Sequence, residues 1–134
     1  MNYEQLQEKH EKEIEELPMF FAFNDKQFSE GMEKIGASNE SELCSIGGGG
    51  FIKKSDDSKM KEIIKSQITE MDTAMLNDEF LIDAFVYELA NHEYCYTGDE
   101  SETIDAIGIE ELNDREEKLL REAKVIYREQ SINY

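Results

Sequence analysis

The sequence predicts an α+β protein that is predominantly helical, with about five helices and a small β-hairpin or sheet. In five segments, apolar residues recur at spacings of three and four, which is the period of an amphipathic helix. Four consecutive glycines, Gly47 to Gly50, separate two short apolar segments and predict a turn between strands. At 134 residues the chain has the length of one ordinary domain, so we predict a single acidic domain over residues 1–134.

The first predicted helix covers residues 3–17, and its narrow apolar stripe consists of Tyr3, Leu6, His10, Ile14 and Leu17. Pro18 ends this helix, because the residue before a proline is pushed out of helical geometry. The apolar run Met19 to Phe23 then predicts a buried strand or an extended core segment.

The second predicted helix, residues 25–35, has clear start signals. Asn24 is a capping residue, and Gln27 stands three positions later, which is the spacing of a capping box. Phe23 and Phe28 occupy the two positions of a hydrophobic staple.

Residues 37–54 predict a hairpin. Its strands are Leu43 to Ile46 and Phe51 to Lys54, and the glycines between them predict a bulge or a wide loop. A third helix begins at Ser55.

The remaining elements lie in the second half of the chain. Asn77 caps a fourth helix, and Asn113 caps the last helix, residues 114–130. The two tyrosines of residues 92–97 favour a strand.

Negative charge is concentrated between Ser66 and Asp114. These 49 residues contain 14 Asp or Glu and no Lys or Arg, so they carry −14 of the formal net charge of −18. Like charges that are not paired with opposite charges destabilise a compact state. Binding to a positively charged partner would offset this cost, so it would explain why the sequence retains these charges. Three interpretations remain open: a solvated face that keeps the protein soluble, a surface for a specific basic partner, and a metal-binding set of carboxylates.

Composition disfavours several classes of protein. A pI of about 4.3 argues against direct binding of nucleic acid or of an anionic membrane. No stretch has the length of a membrane span, the N-terminal residues do not form a signal peptide, and Cys44 and Cys95 do not suggest a disulfide framework. We therefore predict a cytoplasmic protein with free thiols.

The sequence predicts no catalytic residue, no cofactor and no metal, and hence no enzyme. Gly47 to Gly50 with the following lysines do not match a phosphate-binding loop. Glu88, His92, Glu93 and Cys95 form the one cluster of metal-capable types, but zinc sites repeat Cys or His pairs and this chain has none. A metal-dependent enzyme using Glu88, His92 and Cys95 is the least supported hypothesis.

Three segments stand out together: PMFFAFNDKQFSEGMEKIG (18–36), GGGGFIKKSD (47–56) and DEFLIDAFVYELANHEYCYTGD (78–99). They resemble small acidic, mostly uncharacterised proteins of bacteriophages and of conjugative elements of Gram-positive bacteria. The resemblance implies a setting that includes anti-CRISPR proteins, which inhibit Cas9-type nucleases.

Charge and resemblance together predict a stoichiometric inhibitor that mimics nucleic acid and binds a basic nucleic-acid-binding protein, with a Cas9-type nuclease as one candidate. The expected partner-binding residues are Asp72, Asp78, Glu79, Asp83, Glu93, Asp99, Glu100 and Glu102, with Tyr94 and Tyr96 as stacking anchors for arginine.

The alternative function is an acidic adaptor or regulatory module that docks through the apolar stripe of the first helix, which includes Tyr3, Leu6, Ile14 and Leu17. The same stripe leaves open a homodimer, since it packs either inward or against a second copy.

Overall fold

A computed structural model describes residues 1–132 and confirms the predicted class. Within these residues the chain has seven α-helices and one three-stranded antiparallel sheet. The helices are α1 (Tyr3–Glu15), α2 (Asp25–Ile35), α3 (Lys54–Ala74), α4 (Asp78–Asn91), α5 (Tyr94–Thr97), α6 (Ser101–Ile107) and α7 (Asp114–Ile132). The strands are β1 (Met19–Phe21), β2 (Leu43–Gly47) and β3 (Gly50–Lys53).

Residue contacts divide the chain into two compact units. Unit 1 consists of Met1–Gln7 and the chain from Glu70 onward, and unit 2 consists of Glu8–Thr69. Helices α1 and α3 therefore contribute residues to both units.

The core of unit 1 lies between α4 and α7. It contains Leu81, Phe85 and Leu89 of α4 together with Leu119, Leu120, Ala123 and Tyr127 of α7, all of them buried. Burial of one large apolar side chain stabilises a fold by about 1.5–3 kcal/mol, so this cluster is the main stabilising feature of the unit. The short helices α5 and α6 pack against α4.

Both long helices of unit 1 begin at the predicted caps. The Asn77 side chain accepts a hydrogen bond from the Phe80 backbone N–H at 2.9 Å. The Asn113 side chain accepts from the Glu116 N–H at 2.8 Å, and the Glu116 carboxylate accepts from the Asn113 N–H at 3.0 Å. The second pair is a complete capping box, so the sequence signal is confirmed.

The sheet of unit 2 has the order β1-β3-β2, so the predicted hairpin is confirmed and β1 joins its other side. A bulge between Ser45 and Gly47 precedes the glycine turn. Helix α2 packs against β1, where the rings of Phe20, Phe28 and Phe51 lie 5.1–5.7 Å apart.

Two local predictions are wrong. Residues 92–97 do not form a strand, because Tyr94–Thr97 is one turn of helix. The staple of Phe23 with Phe28 does not form, since Phe23 is 78% exposed while Phe28 packs on Phe20. The capping half of the α2 signal is confirmed, because Asn24 accepts from the Gln27 N–H at 2.9 Å.

Among the described residues, no helix combines the length and the apolar character that crossing a membrane requires. The two cysteines are both free, Cys44 half-buried and Cys95 exposed.

Candidate acidic interface

The surplus of negative charge lies mainly in unit 1. Its sequence contains 19 Asp or Glu and five Lys or Arg, a net charge of −14, whereas unit 2 carries −4. All five bases of unit 1 lie on α7, and they are Arg115, Lys118, Arg121, Lys124 and Arg128. The sequences of α4, α5 and α6 therefore contain no base, and those of α4 and α6 carry carboxylates.

The exposed face of α4 presents Glu79 and Asp83. Successive helical residues rotate by about 100°, so these two lie on the side opposite Leu81 and Phe85, which pack on α7. The Asp83 carboxylate accepts a hydrogen bond from the Tyr3 backbone N–H at 3.1 Å, which fixes its position. We call Glu79 and Asp83 the α4 pair.

The α4 pair borders an open groove of about 500 Å³. Its other lining residues are Met1, Asn2, Ala74, Asn77 and Phe80. The groove thus places two carboxylates beside apolar atoms, an arrangement that suits the apolar stem and charged head of an arginine or lysine side chain.

Asp78 and Asp72 lie near the α4 pair in sequence but differ from it in structure. Asp78 is paired with the chain's own Arg115, whose guanidinium donates to Asp78 Oδ1 at 2.8 Å through Nε and also reaches the carbonyls of Met75 and Leu76 at 3.1 Å. Asp72 is exposed in the last turn of α3, which ends at Ala74 before α4 begins.

A second acidic group, Glu93, Asp99, Glu100 and Glu102, follows the C-terminal end of α4. Helix α4 has 14 residues, so its two ends are about 20 Å apart. The structure therefore places Asp78 and the α4 pair in the first half of α4, and a second group of carboxylates beyond its C-terminal end. We call the second group the loop acids.

Three of the loop acids are held by the chain itself. His92 Nδ1 lies 3.3 Å from Glu102 Oε2, and Lys124 forms an ion pair with Glu100. Asp99 accepts hydrogen bonds from the Ser101 hydroxyl and from the Ser101 N–H, and these lower the pKa of its carboxyl group. Glu93 is exposed and is the one non-glycine residue of residues 1–132 with a positive φ, 53°.

The two predicted aromatic anchors have different surroundings. Tyr96 is 85% exposed, so its ring is available to a partner. Tyr94 is half-buried, with its ring packed edge-on against Tyr127 and Lys124 Nζ lying 5.5 Å above its centre. Tyr94 is therefore already occupied by a cation of the same chain.

Glu88 has a structural role that sequence reasoning did not identify. It is 3% exposed, and its carboxylate accepts a hydrogen bond from the Tyr3 hydroxyl at 2.7 Å. Burial and this hydrogen bond raise the pKa of Tyr3 well above its usual range. His92 Nε2 lies 3.1 Å from the other Glu88 oxygen, so one carboxylate connects α1 to the end of α4.

The structure does not support a metal site at these residues. Among residues 1–132, no three His, Cys, Asp or Glu side chains are placed to hold a metal ion together. Cys95 instead donates its backbone N–H to the Tyr127 hydroxyl at 3.2 Å.

The apolar stripe of the first helix is not a docking surface in the folded chain. Tyr3, Leu6 and Leu17 are only 2–5% exposed, and Ile14 is half-buried. The stripe packs inward, which removes the surface that both the adaptor hypothesis and a dimer through α1 require.

The chain belongs to a family of unknown function, DUF7659, whose model matches residues 2–129. No curated protein and no solved structure matches the chain.

Proposed function

We propose that this protein is a stoichiometric inhibitor that binds the basic nucleic-acid-binding surface of a host defence enzyme and takes the place of nucleic acid there. The observation that carries the proposal is the net charge of −14 on unit 1, with every base of that unit on α7. Seven of the eight proposed carboxylates are exposed, and Glu100 is half-buried.

The mimicry requires carboxylates spaced like phosphates on an ordered support. Glu79 and Asp83 lie 12 and 8 residues before the last residue of α4, about 18 and 12 Å along the helix axis, which corresponds to about four to five steps along a nucleic-acid strand at 3.4 Å per step. Lysines and arginines that bind phosphate also bind carboxylate, and arginine does so with two parallel hydrogen bonds. Inhibitor and nucleic acid would then compete for the same cations.

A Cas9-type nuclease is the target that we propose to test first. Such enzymes hold a heteroduplex in a positively charged channel and read the adjacent motif with arginines. The sequence resemblance to proteins of mobile elements directs the proposal to this class. Inhibition would require no chemistry from the chain, only occupation of the channel.

The test measures binding of the purified chain to a guide-loaded Cas9-type nuclease and to free target DNA. We expect inhibition of cleavage near a 1:1 ratio, competition with target DNA, and affinity that falls at least about tenfold between 50 and 200 mM salt. An affinity that does not change with salt concentration, or binding that leaves DNA loading intact, would refute nucleic-acid mimicry.

A matched pair of variants locates the surface. Glu79→Lys with Glu93→Lys changes both ends of α4, while Glu11→Lys with Glu33→Lys makes the same change of net charge on unit 2. Within residues 1–132 none of these four side chains makes a hydrogen bond or an ion pair, so the fold should tolerate each change. We expect the first variant to lose about tenfold or more in affinity through like-charge repulsion, and the second to lose much less. Equal losses would show that net charge matters and the proposed surface does not.

A further inference from the structure

Strand β1 is an edge of the three-stranded sheet of unit 2. The order β1-β3-β2 gives β1 one neighbour, and within residues 1–132 no strand pairs with its other side. In an antiparallel pair the N–H and C=O groups of alternate residues point away from the partner strand, so the free side of β1 carries donors and acceptors that β3 does not use. Strand β2, the other edge, is interrupted by the bulge between Ser45 and Gly47, which makes it a poorer template for a further strand.

An open groove of about 420 Å³ lies along the free side of β1. Its walls are the three residues of β1 and one side of α2, formed by Gln27, Glu30, Gly31 and Lys34. All of its lining residues belong to these two elements, so the groove lies on the side of β1 away from β3. A free strand edge beside a helix leaves room for an extended peptide that adds a strand to the sheet.

Helix α2 runs back along β1. Only residues 22–24 connect the two elements, and the Gln27 side chain accepts a hydrogen bond from the Phe23 N–H at 2.8 Å. This bond holds the first turn of α2 beside the C-terminal end of β1. Glu30 therefore lies nearer the C-terminal end of β1, and Lys34 lies nearer its N-terminal end.

Glu30 and Lys34 set the charge pattern of the groove. Both side chains are exposed, and they stand one helical turn apart, about 6 Å along the axis. Alternate residues of a strand are about 6.6 Å apart, which matches this separation. Within residues 1–132 Lys34 forms no ion pair, and Glu30 has a 4.0 Å contact with the exposed Lys26, a kind of pair that contributes little. Both charges are therefore available to a ligand.

The opposite face of β1 offers an apolar contact. The Phe20 side chain packs on Phe28 of α2, so the side chains of Met19 and Phe21 point to the other face of the strand. Phe21 is 57% exposed. An added strand would cover the Phe21 ring with apolar residues that alternate with its charged ones.

We propose that the free edge of β1 binds an extended segment of a partner protein, which pairs antiparallel with β1 and carries a base, then an apolar residue, then an acid. An antiparallel strand meets the C-terminal end of β1 first, so the base faces Glu30 and the acid faces Lys34. The β1 strand of a second copy, Met19–Phe21, has no charged residue and does not match this pattern. The groove belongs to unit 2, whereas the α4 pair and the loop acids belong to unit 1, so the segment binds to a different part of the chain from the enzyme proposed above.

The test titrates the full chain with a capped nine-residue peptide, STVKVEVTS, and with a charge-exchanged control, STVEVKVTS. Amide chemical shifts and nuclear Overhauser contacts should place the first peptide against β1, with a dissociation constant below about 1 mM. The control should bind about fivefold more weakly or worse, because each of its charges faces a like charge. The absence of any contact with β1 at about 2 mM peptide would overturn the proposal, as would equal affinities for the two peptides.

A charge exchange within the chain completes the test. Glu30→Lys with Lys34→Glu leaves the net charge unchanged and should reverse the preference, so that STVEVKVTS binds about fivefold more tightly than STVKVEVTS. Lys12→Glu with Glu16→Lys makes the same exchange at exposed residues outside the groove and should leave the preference as it was. Urea unfolding checks that each variant is folded. An unreversed preference in the first variant would contradict the pairing with Glu30 and Lys34. Shifts of the β1 amides that follow protein concentration instead of peptide concentration would show that a second copy covers the edge, and the proposal would then be wrong.

Discussion

Replacing Tyr3 with Phe removes one hydroxyl of unit 1 and leaves the ring; that hydroxyl donates to Glu88 and accepts from the Gln7 side-chain amide at 2.9 Å. The ring contacts with Phe80 and Tyr87, at 6.2 and 5.5 Å between centres, remain in place. The lost hydroxyl donates to Glu88 at 2.7 Å, and Glu88 is almost fully buried. A buried hydrogen bond to a charged group contributes about 1.5–3 kcal/mol, so we expect the free energy of unfolding to fall by about 2 kcal/mol.

Urea unfolding followed by circular dichroism measures this loss, and for a chain of this length it corresponds to a fall in melting temperature of about 6 °C. Tyr87→Phe is the control, since the Tyr87 hydroxyl makes no hydrogen bond within residues 1–132 and its loss should cost less than about 0.5 kcal/mol. A double-mutant cycle with Glu88→Gln should give a coupling energy of about 1–2 kcal/mol. A Tyr3→Phe loss no larger than that of the control would refute the role of this bond.

Burial of the Tyr3 hydroxyl, together with its hydrogen bond to Glu88, makes the stability of the fold depend on alkaline pH. The pKa of Tyr3 is raised in the folded chain, so its stabilisation is complete below the unfolded pKa of about 10 and is lost as the pH rises towards the folded value. Above pH 10 the unfolding free energy of the wild type should therefore approach that of Tyr3→Phe, by up to about 1.4 kcal/mol per pH unit. A constant difference between the two from pH 8 to 11 would contradict the raised pKa.

Three further changes test other parts of the fold. Gly31→Ala should lower the free energy of unfolding by about 1–3 kcal/mol, because the new Cβ would lie 2.1 Å from the Phe20 ring and this clash outweighs the better helix propensity of alanine. Urea titration measures the free energy of unfolding, and a gain in stability would contradict the close packing of Gly31 on Phe20. Asn113→Ala should cost about 1 kcal/mol in the same assay by removing the cap of α7, and no loss would show that the capping box is dispensable. The pKa of Asp99 is lowered, so its stabilisation is present above pH 4 and is lost on acidification. The protection factors of the α6 amides, which correct for the pH dependence of intrinsic hydrogen exchange, should fall below pH 4 in the wild type and change less in Asp99→Asn. Identical profiles would contradict the Ser101 hydrogen bonds.

Helix starts were predictable because their signals are local. Asn24, Asn77 and Asn113 each act within three residues, so sequence spacing alone identifies the bond that forms. The glycine turn of the hairpin is local in the same sense.

Elements that depend on distant residues were not predictable. Tyr94 and Tyr96 have a high strand propensity, but one turn of helix forms there between two left-handed residues, Glu93 and Gly98, and the Tyr127 hydroxyl accepts from the Cys95 N–H inside it. The pairing of β1 with β3 likewise joins segments about 30 residues apart, and no local pattern specifies that register.

For the acidic interface, the sequence predicted that the carboxylates are exposed better than it predicted which residues of the chain they contact. Most carboxylates of a stretch without Lys or Arg must stay exposed, and Glu79 and Asp83 do so. The pairing of Glu100 with Lys124 and the burial of Glu88 beneath Tyr3 join positions 24 and 85 residues apart. Such contacts arise from tertiary packing, which residue spacing does not encode.

The confinement of every cation of unit 1 to a single helix makes the electric field of that unit lopsided. A positively charged macromolecule that diffuses towards unit 1 is oriented by this field before contact. The side of the unit formed by α4 attracts the macromolecule more strongly than the α7 side does. Moving two lysines from α7 to the outer surface of α4 would leave the net charge of the chain unchanged. It would still slow productive encounters, so the rate of association depends on the direction of the electric dipole of unit 1 as well as on its net charge.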